Sequence, residues 1–259
     1  MIKAIFFDID GTLVSFQTHT ISNSTIKALQ KAHNNGIKLF IATGRAKALI
    51  NNLGKEIPFD GYITVNGCHC YTSTGETIHK EYIPKVDLNS LSVFQKESSI
   101  PFFYVCDEET FITNINENVE RLCHHLALSY PPIAPPEHAL NKNVIQLMGF
   151  FEAAEEEVIM QKILPHCSAQ RWHPSFVDIV AKGNDKSTGI DHMLSHYGIK
   201  LDETMAFGDG GNDIPMLKHV ALGVAMGNSE ECVKNAADYT TSSVDEDGIA
   251  HALEHFNII

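Results

Sequence analysis

The chain places two carboxylates at the end of a short apolar run near its beginning. Residues 5–7 are Ile, Phe and Phe; they lead directly into Asp8, and Asp10 follows two residues later, just before Gly11. Acidic side chains seldom close an apolar run unless something binds them. Glycine after the second acid is typical of a turn that an ordinary residue would strain. The stretch therefore predicts a reactive or ligand-binding site at the end of the first strand.

Two further polar residues follow apolar runs in the same way. Thr43 comes after residues 37–42, and Asp209 comes after residues 204–208. In an open parallel sheet, ligands bind outside the carboxyl ends of the strands, so Asp8, Thr43 and Asp209 are expected to converge. Each of them alone also fits a strand-end turn or a helix cap, and a bare D-x-D-G pattern is a weak signal. The three together predict one site.

The two ends of the chain alternate strands with helices. The first third contains predicted strands 3–8, 37–42 and 61–65, helices 22–34 and 46–53, and a hairpin over 68–82. The last third contains predicted helices 186–197, 213–219, 229–237 and 246–256, and strands 204–208 and 221–226. This alternation is typical of a parallel sheet with helices on both faces. The expected fold class is α/β, with a doubly wound, Rossmann-like parallel-sheet core.

The middle of the chain has a different pattern. Its predicted elements are helices 87–98, 116–128 and 152–164, and strands 102–106, 110–115, 144–150, 168–173 and 176–181. Two hairpins with intervening helices indicate an α+β unit with an antiparallel sheet. Pro84 and Gly183 stand at its flanks as structure breakers. The expected organisation is a core of residues 1–82 and 184–259 with an inserted α+β cap of residues 83–183.

Composition argues against several classes of protein. The 259 residues carry a net charge of −13, which argues against nucleic-acid binding because phosphate backbones need clustered Lys and Arg. Neither an apolar run of about 18 residues nor a signal-peptide pattern is present, so we expect a cytoplasmic protein without a membrane partner. Cys68 and Cys70 form a C-x-C pair without a second pair at zinc spacing, so reduced thiols are expected rather than a zinc site.

Four short motifs, in this order, resemble those of the haloacid dehalogenase (HAD) superfamily of phosphatases. They are FFDIDGTL at 6–13, TGR at 43–45, Lys186 and GDGGND at 208–213. VNG at 65–67 and AKGNDKSTGI at 181–190 fit as well, and the insertion after the third strand resembles the Cof-type subfamily with a C2B cap. The resemblance covers nearly the whole chain. It implies a Mg²⁺-dependent phosphatase that works through an aspartyl-phosphate.

The resemblance implies roles for the residues of the first and third motifs. A carboxylate at a strand end beside Mg²⁺ can attack phosphorus, so Asp8 is the expected nucleophile. Asp10 is the expected general acid for the leaving oxygen and then the base that activates water. Lys186 is the expected cation beside Asp8 and the phosphate; a lysine alone at a helix start is usually a surface residue. Gly11 belongs to the expected substrate-binding set.

Charge on the transferring phosphoryl group must be neutralised. Thr43 would supply a hydroxyl, and Gly44 a closely approaching backbone N–H. Asn212 resembles the phosphate-contacting asparagine of the family. Arg45 fits two arrangements, a contact to the phosphate or substrate and an ion pair on the helix surface, and the sequence leaves both open.

The metal site implied by the resemblance consists of oxygen ligands, which suit Mg²⁺. Asp209 is the expected acidic ligand, together with Asp8 and the backbone carbonyl of Asp10. Asp213 fits a place behind these ligands, where it would orient Lys186 or a metal-bound water. A direct ligand role for Asp213 also stays open.

One residue of the predicted cap stands out as a candidate for substrate selection. In the predicted strand 176–181, Val177 and Ile179 suit the face that packs on helices. Asp178 then lies on the other face, which we expect to look toward the active site, where a carboxylate would accept hydrogen bonds from sugar hydroxyls. A solvated surface aspartate or a hinge salt bridge is the alternative.

The expected function is hydrolysis of a small phosphorylated metabolite, a sugar phosphate or a phosphorylated cofactor. A phosphomutase of the phosphomannomutase type shares the D-x-D chemistry and is an alternative, as is a non-catalytic metabolite-binding module. A dehalogenase is less favoured because its chemistry does not need Asp10. The physiological substrate and the oligomeric state are not identified by the sequence.

Overall fold

The structure, a computed structural model, describes residues 1–50, 53, 56–125 and 130–259. Contacts between Cα atoms divide the chain into two compact units. Met1–Lys80 and Asp185–Ile259 form the first unit, which we call the core. Glu81–Asn184 form the second, which we call the inserted unit.

The described residues form strands and α-helices in both units. In chain order the strands are β1 (Ala4–Phe7), β2 (Lys38–Ala42), β3 (Gly61–Thr64), β4 (His69–Thr72), β5 (Thr77–Lys80), β6 (Phe102–Cys106), β7 (Thr110–Ile112), β8 (Val144–Gly149), β9 (Cys167–His173), β10 (Phe176–Ala181), β11 (Thr204–Gly208), β12 (Leu222–Ala225) and β13 (Tyr239–Thr240). The α-helices of the described residues are α1 (Asn23–Asn34), α2 (Lys85–Phe94), α3 (Glu117–His125), α4 (Ala153–Val158), α5 (Lys186–Tyr197), α6 (Ile214–His219), α7 (Glu231–Lys234) and α8 (Gly248–His255).

The core sheet has the strand order β13-β12-β11-β1-β2-β3-β4-β5. Strands from β13 to β3 pair in parallel, and the hairpin strands β4 and β5 continue the sheet in antiparallel fashion. In the centre, Phe7 of β1 lies opposite Ile41 of β2 and Phe207 of β11. The carboxyl ends of these three strands therefore meet at one edge of the sheet. The predicted α/β fold class with a doubly wound core is confirmed.

Both faces of the core sheet are covered by helices because its central strands are apolar on both sides. In β1, Ile5 and Phe7 pack with α1 and α8, whereas Ala4 and Phe6 pack with α5 and α6. Each of these side chains is fully buried. Burial stabilises the fold by roughly 1.5–3 kcal/mol for a large apolar side chain. Two apolar layers thus hold β1, and with it the residue that follows, in a fixed position.

Helix α5 is delimited by clear signals, and these fix the place of Lys186. The Asp185 side chain accepts hydrogen bonds from the backbone N–H groups of Ser187 (2.8 Å) and Thr188 (3.0 Å), which caps the helix. Gly198 ends it in a left-handed conformation at φ +65°. Lys186 is therefore the first residue of the first turn.

The predicted helix 46–53 is wrong over its described residues, and several predicted helices, among them 87–98, 229–237 and 246–256, have other bounds in the structure. Over 46–53, Lys47–Leu49 form only a single 3₁₀ turn, and residues 51 and 52 lie outside the described residues. Ala46 precedes that turn and offers no side-chain acceptor to cap a longer helix. The predicted helix 116–128 corresponds to α3, and its last three predicted residues lie outside the described ranges.

The inserted unit contains a five-stranded antiparallel sheet in the order β7-β6-β8-β10-β9. Leu88 and Leu91 of α2 pack with Val177 and Ile179 of β10 in one apolar cluster. The predicted helix 152–164 begins as α4 and continues as a π-helical segment, Ile159–Ile163. Among the helices of the described residues, none combines the length and apolar character needed to cross a membrane.

Candidate active site

A buried ion-pair network links the end of β1 to the beginning of α5. The Lys186 ammonium donates hydrogen bonds to Oδ1 of Asp8 and to Oδ1 of Asp213, each at 2.6 Å. Lys186 is 0% exposed, and Asp8 is 7% exposed. Charged groups are retained at such depth only when they are paired and hydrogen-bonded. The alternative of a surface lysine is therefore wrong for Lys186.

The pKa values of Asp8 and Lys186 are shifted because this network holds more carboxylates than ammonium groups. Burial raises the pKa of Asp8 well above its ordinary value; Lys186 opposes this rise, and the carboxylates of Asp213 and Asp209 add to it. Burial alone would lower the pKa of Lys186, but Asp213 and Asp8 reverse that effect and the pKa ends above its ordinary value. The ammonium therefore stays charged, while the carboxylates around it favour a further cation.

Asp209 follows β11 and is held by two neutral donors. The Thr12 hydroxyl donates to Asp209 Oδ1 at 2.8 Å, and Asn228 Nδ2 lies 3.3 Å from Asp209 Oδ2. The same Asn228 amide donates to the backbone carbonyl of Gly11 at 2.9 Å. Burial, followed by the neighbouring Asp213, raises the pKa of Asp209 to about 7. The carboxylate is thus fixed in place with part of its charge uncompensated.

Three carboxylates could hold a metal ion here. One oxygen each from Asp8, Asp209 and Asp213 lies within 4.8 Å of the other two. Asp213 Oδ2 also accepts backbone N–H bonds from Asp209 (3.0 Å) and Gly210 (2.9 Å), and its Oδ1 is bonded to Lys186. Asp213 accepts three hydrogen bonds, one of them from the Lys186 ammonium, and is 0% exposed, so it is suited to orienting the other groups. The all-oxygen donor set fits Mg²⁺.

Gly11 allows the Asp209 carboxylate to lie close to the backbone of the first motif. A Cβ at this position would lie 2.2 Å from Asp209 Oδ2 and 2.7 Å from the ring of Phe16. The backbone of Gly11 is left-handed at φ +84°, a conformation that residues with a Cβ rarely adopt. Glycine is therefore required here both for the turn and for the approach of Asp209.

The Arg45 guanidinium forms an ion pair with the Asp10 carboxylate. Its Nε donates to Asp10 Oδ2 at 2.8 Å and its Nη2 to Asp10 Oδ1 at 2.5 Å, a bidentate pair. The Asp10 side chain is 37% exposed and the Arg45 side chain 33% exposed. The sequence left two arrangements open for Arg45, a contact to the substrate and an ion pair. The structure has an ion pair, and its partner is Asp10 of the first motif.

The loops that carry Thr43, Gly44 and Asn212 meet around Asn66. Thr43 is 1% exposed, and its hydroxyl oxygen accepts a hydrogen bond from the backbone N–H of Arg45 at 3.1 Å. A Cβ at Gly44 would lie 3.2 Å from the side-chain amide of Asn66. Asn212 Nδ2 donates to Asn66 Oδ1 at 3.2 Å.

Asp178 belongs to the inserted unit, on β10 between Gln170 of β9 and Met148 of β8. Val177 and Ile179 pack on the helices, as predicted, but the other face of the strand is not free, since Phe176 and Val180 are buried there beside Asp178. The alternative of a solvated surface aspartate is wrong, because Asp178 is 3% exposed. Its role in substrate binding stays a prediction.

Three residues that contact the site had no role predicted from the sequence: Thr12 and Asn66, which lie within the quoted motifs FFDIDGTL and VNG, and Asn228. The rule that found Asp8, Thr43 and Asp209 also applies to Asn66 and Asn228, because each follows an apolar strand, β3 and β12. Thr12 lies within the first motif, two residues after Asp10. A search of every predicted strand end would therefore have found Asn66 and Asn228.

The fold and these motif positions define a class of protein, and comparison with known families agrees with it. Residues 5–253 match the family of haloacid dehalogenase-like hydrolases. Because the match covers nearly the whole chain, the protein belongs to this family.

Individual relatives are similar over their full length. A solved HAD subclass IIB sugar phosphatase is 48% identical, covers 99% of this chain and 100% of its own, and has a TM-score of 0.91. A phosphatase of the HAD superfamily from Bacteroides thetaiotaomicron is 40% identical, with a TM-score of 0.94 and coverage of 100% and 96%. A 5-amino-6-(5-phospho-D-ribitylamino)uracil phosphatase of Bacillus subtilis (strain 168) is 26% identical over 98% of this chain and 96% of its own. The protein is therefore a hydrolase of the phosphatase class.

Proposed function

We propose that the protein is a cytoplasmic, Mg²⁺-dependent phosphatase that hydrolyses a small sugar phosphate through an aspartyl-phosphate on Asp8. The observation that carries this proposal is the buried Asp8 carboxylate at the end of β1, bonded to Lys186 at 2.6 Å and within reach of Asp209. An acid in that place is both oriented and desolvated, which suits it to attack phosphorus.

The first step transfers the phosphoryl group to Asp8. A carboxylate oxygen of Asp8 forms a bond to phosphorus, the bond from phosphorus to the leaving oxygen breaks, and Asp10 donates the proton that the leaving alcohol needs. In the second step Asp10 takes a proton from water, the water oxygen attacks phosphorus, and the acyl-phosphate bond breaks. Inorganic phosphate leaves, and Asp8 and Asp10 return to their starting states.

Arg45 is assigned to the orientation of Asp10. Because its guanidinium donates to both carboxylate oxygens, Asp10 must release at least one of these bonds and take up a proton there before it can donate to the leaving oxygen. Thr43, Gly44, Asn212 and Lys186 are assigned to the phosphoryl oxygens, with Gly11 shaping the loop that receives them. These donors are fixed before the substrate arrives, as electrostatic stabilisation of a transferring phosphoryl group requires.

Asp8, Asp209 and the backbone carbonyl of Asp10 are assigned as Mg²⁺ ligands, with Asp213 behind them as an orienting residue. The fit rests on the all-oxygen donor set and on the close approach of Asp209 that Gly11 allows. When bound, Mg²⁺ would offset negative charge on the carboxylates and on the phosphoryl group.

The substrate class rests on relatives and on the inserted unit. The subclass IIB relative named as a sugar phosphatase favours a sugar phosphate, and the Bacillus subtilis relative makes a phosphorylated ribityl compound the alternative. We assign the inserted unit to the role of a C2B-type cap that selects the leaving group, with Asp178 as one selecting residue.

Phosphate release tests the proposal. The purified protein should release inorganic phosphate from para-nitrophenyl phosphate and from hexose and pentose phosphates with Mg²⁺, and release should stop with EDTA. Asp8→Asn should lower turnover by roughly 10³-fold or more, while Asp202→Asn, at an exposed carboxylate, should not. Near wild-type turnover by folded Asp8→Asn would remove the nucleophile assignment. Isomerised sugar phosphate without free phosphate would indicate a phosphomutase instead.

A further inference from the structure

Residues 65–67, between β3 and β4, form an unusual left-handed turn. Their φ angles are +53° for Val65, +48° for Asn66 and +100° for Gly67. Glycine and asparagine adopt this conformation readily, but a β-branched residue such as Val65 is strained in it. Strain of this kind persists when the surrounding structure enforces it, and it is concentrated at functional sites.

This turn is joined by backbone bonds to the loop that carries Thr43 and Gly44. The N–H of Val65 donates to the carbonyl of Arg45 at 3.1 Å, and the N–H of Asn66 donates to the carbonyl of Thr43 at 3.0 Å. The two loops therefore form one layer at the carboxyl ends of β2 and β3. The two backbone bonds hold the left-handed turn, including the strained Val65, against the loop of Thr43 and Gly44.

The side chain of Asn66 is fully buried and only partly satisfied. Its Oδ1 accepts from Asn212 Nδ2 at 3.2 Å, which links the layer to the loop that follows β11. Its Nδ2 is buried and has no hydrogen-bond partner among the residues that the structure describes. Buried amides are nearly always satisfied, and each exception in a folded protein calls for an explanation. Gly44 stands beside this amide, because any Cβ there would lie 3.2 Å from Asn66 Nδ2.

We propose that Asn66 is a positioning residue for phosphoryl binding. It holds Asn212 against the loop that carries Thr43 and Gly44, so that two loops, distant in sequence, present their donors to one anion. The inference rests on the proposed function, since it takes Asn212 and Thr43 as phosphoryl-binding groups. It accounts for a buried amide beside a strained residue, since the Oδ1 atom of that amide is the acceptor that holds Asn212.

The test uses substitutions that leave the backbone conformation possible. Asn66→Gly removes the amide and keeps the left-handed turn, because glycine adopts positive φ freely. Asn257→Gly is the matched control, since Asn257 is also left-handed, at φ +53°, and is exposed. The dissociation constant of inorganic phosphate in the presence of Mg²⁺ is measured by calorimetry, and KM and kcat are measured with para-nitrophenyl phosphate.

Asn66→Gly should weaken phosphate binding about tenfold, as expected for loss of hydrogen bonding around a charged group, and should raise KM more than it lowers kcat. Asn212→Ala should have a similar effect, and the double variant should bind no more than about twofold more weakly than Asn212→Ala alone. Unchanged phosphate affinity in Asn66→Gly, or effects that multiply in the double variant, would overturn the inference. A lower unfolding temperature with unchanged affinity would assign Asn66 a structural role only.

Calorimetry separates this inference from the proposed function because binding does not require turnover. A wild-type protein that binds phosphate but hydrolyses no phosphate ester contradicts the proposed function and leaves the Asn66 variants measurable. A wild-type protein that does not bind phosphate with Mg²⁺ contradicts both.

Discussion

At the scale of single residues, the site is governed by a surplus of negative charge. One ammonium, on Lys186, lies between Asp8 and Asp213, and Asp209 joins the same cluster. The surplus raises the pKa of Asp8, with burial as the largest cause, and raises the pKa of Asp209 to about 7. Because buried, uncompensated charge is unfavourable, a divalent cation bound there should stabilise the folded protein.

Gly11→Ala should remove that stabilisation. The added Cβ would lie 2.2 Å from Asp209 Oδ2, so the carboxylate must move away from its place beside Asp8. We expect Mg²⁺ to raise the unfolding temperature of the wild type but not of Gly11→Ala, and the variant should need at least about tenfold more Mg²⁺ for half activity. Gly75→Ala is the control: its φ is +90°, but nothing lies within 4 Å of the added Cβ. If both variants lost the Mg²⁺ response equally, backbone strain and not displacement of the Asp209 carboxylate would explain the loss.

Asp10→Asn should reveal a proton-transfer role through the leaving group. The amide keeps the size of the carboxylate but neither donates an acidic proton nor accepts one. Phosphoryl transfer from para-nitrophenyl phosphate should therefore suffer less than transfer from a sugar phosphate, because nitrophenolate needs no protonation. Single-turnover formation of the aspartyl-phosphate measures this step. Equal slowing for both substrates would contradict the role of Asp10 as general acid.

At the scale of elements, the bounds that were predicted correctly are those with local signals. The predicted spans of α5, β6, β10 and β11 are those of the structure, since caps, breakers or abrupt changes in polarity mark their ends. The segment 46–53 lacks such a signal at its start, because Ala46 cannot cap a helix. At the start of its described part, Arg45 is instead bonded to Asp10 of the first motif and to the carbonyl of Leu49.

The contact between α5 and β5 predicts a pH-dependent stability. His192 of α5 stacks on His79 of β5 with ring centroids 3.9 Å apart. Burial, and then His79, lower the pKa of His192 below its ordinary value of 6.5, against a smaller opposing effect of Asp191. The unfolded chain thus binds a proton more readily than the folded protein, so this stability is present above pH 6.5 and is lost as the pH falls below it.

His192→Gln should therefore flatten the pH dependence of stability. Between pH 7.5 and pH 5.5, the free energy of unfolding measured in urea should fall more in the wild type than in the variant. His251→Gln, at an exposed histidine, serves as the control and should follow the wild type. Parallel curves for wild type and His192→Gln would show that the stacked pair is not sensitive to protonation in this range.

At the scale of the whole molecule, the sequence was enough to predict which strand ends converge. It was not enough to predict which side chains contact one another. Strand order follows from alternating strands and helices, so the meeting of Asp8, Thr43 and Asp209 at one sheet edge was accessible. The Arg45–Asp10 pair and the Asn66–Asn212 bond depend on loop conformation, including the left-handed turn at Val65. Such conformations leave no periodic signal in a single sequence.

The proposed division of labour between core and inserted unit is tested at Asp178. Since this residue is 3% exposed, Asp178→Asn is the appropriate variant, because it preserves shape in a packed sheet. It should change the order of kcat/KM among sugar phosphates and leave para-nitrophenyl phosphate, which has no hydroxyls, within about twofold of wild type. Glu108→Gln, at an exposed acid of the same unit, is the control. Equal losses for both kinds of substrate would remove Asp178 from the selecting residues.

The position of β1 at the centre of the core sheet has a consequence for synthesis on the ribosome. One edge of β1 pairs with β2, which emerges soon afterwards, but its other edge pairs with β11, about two hundred residues later. Until then the nascent chain exposes an apolar strand edge of the kind that promotes aggregation. The partner of Asp8 is equally late, since Lys186 follows it by 178 residues. A ribosome that stalls within the inserted unit therefore holds Asp8 without the Lys186 ammonium and a central strand that is paired along one edge only.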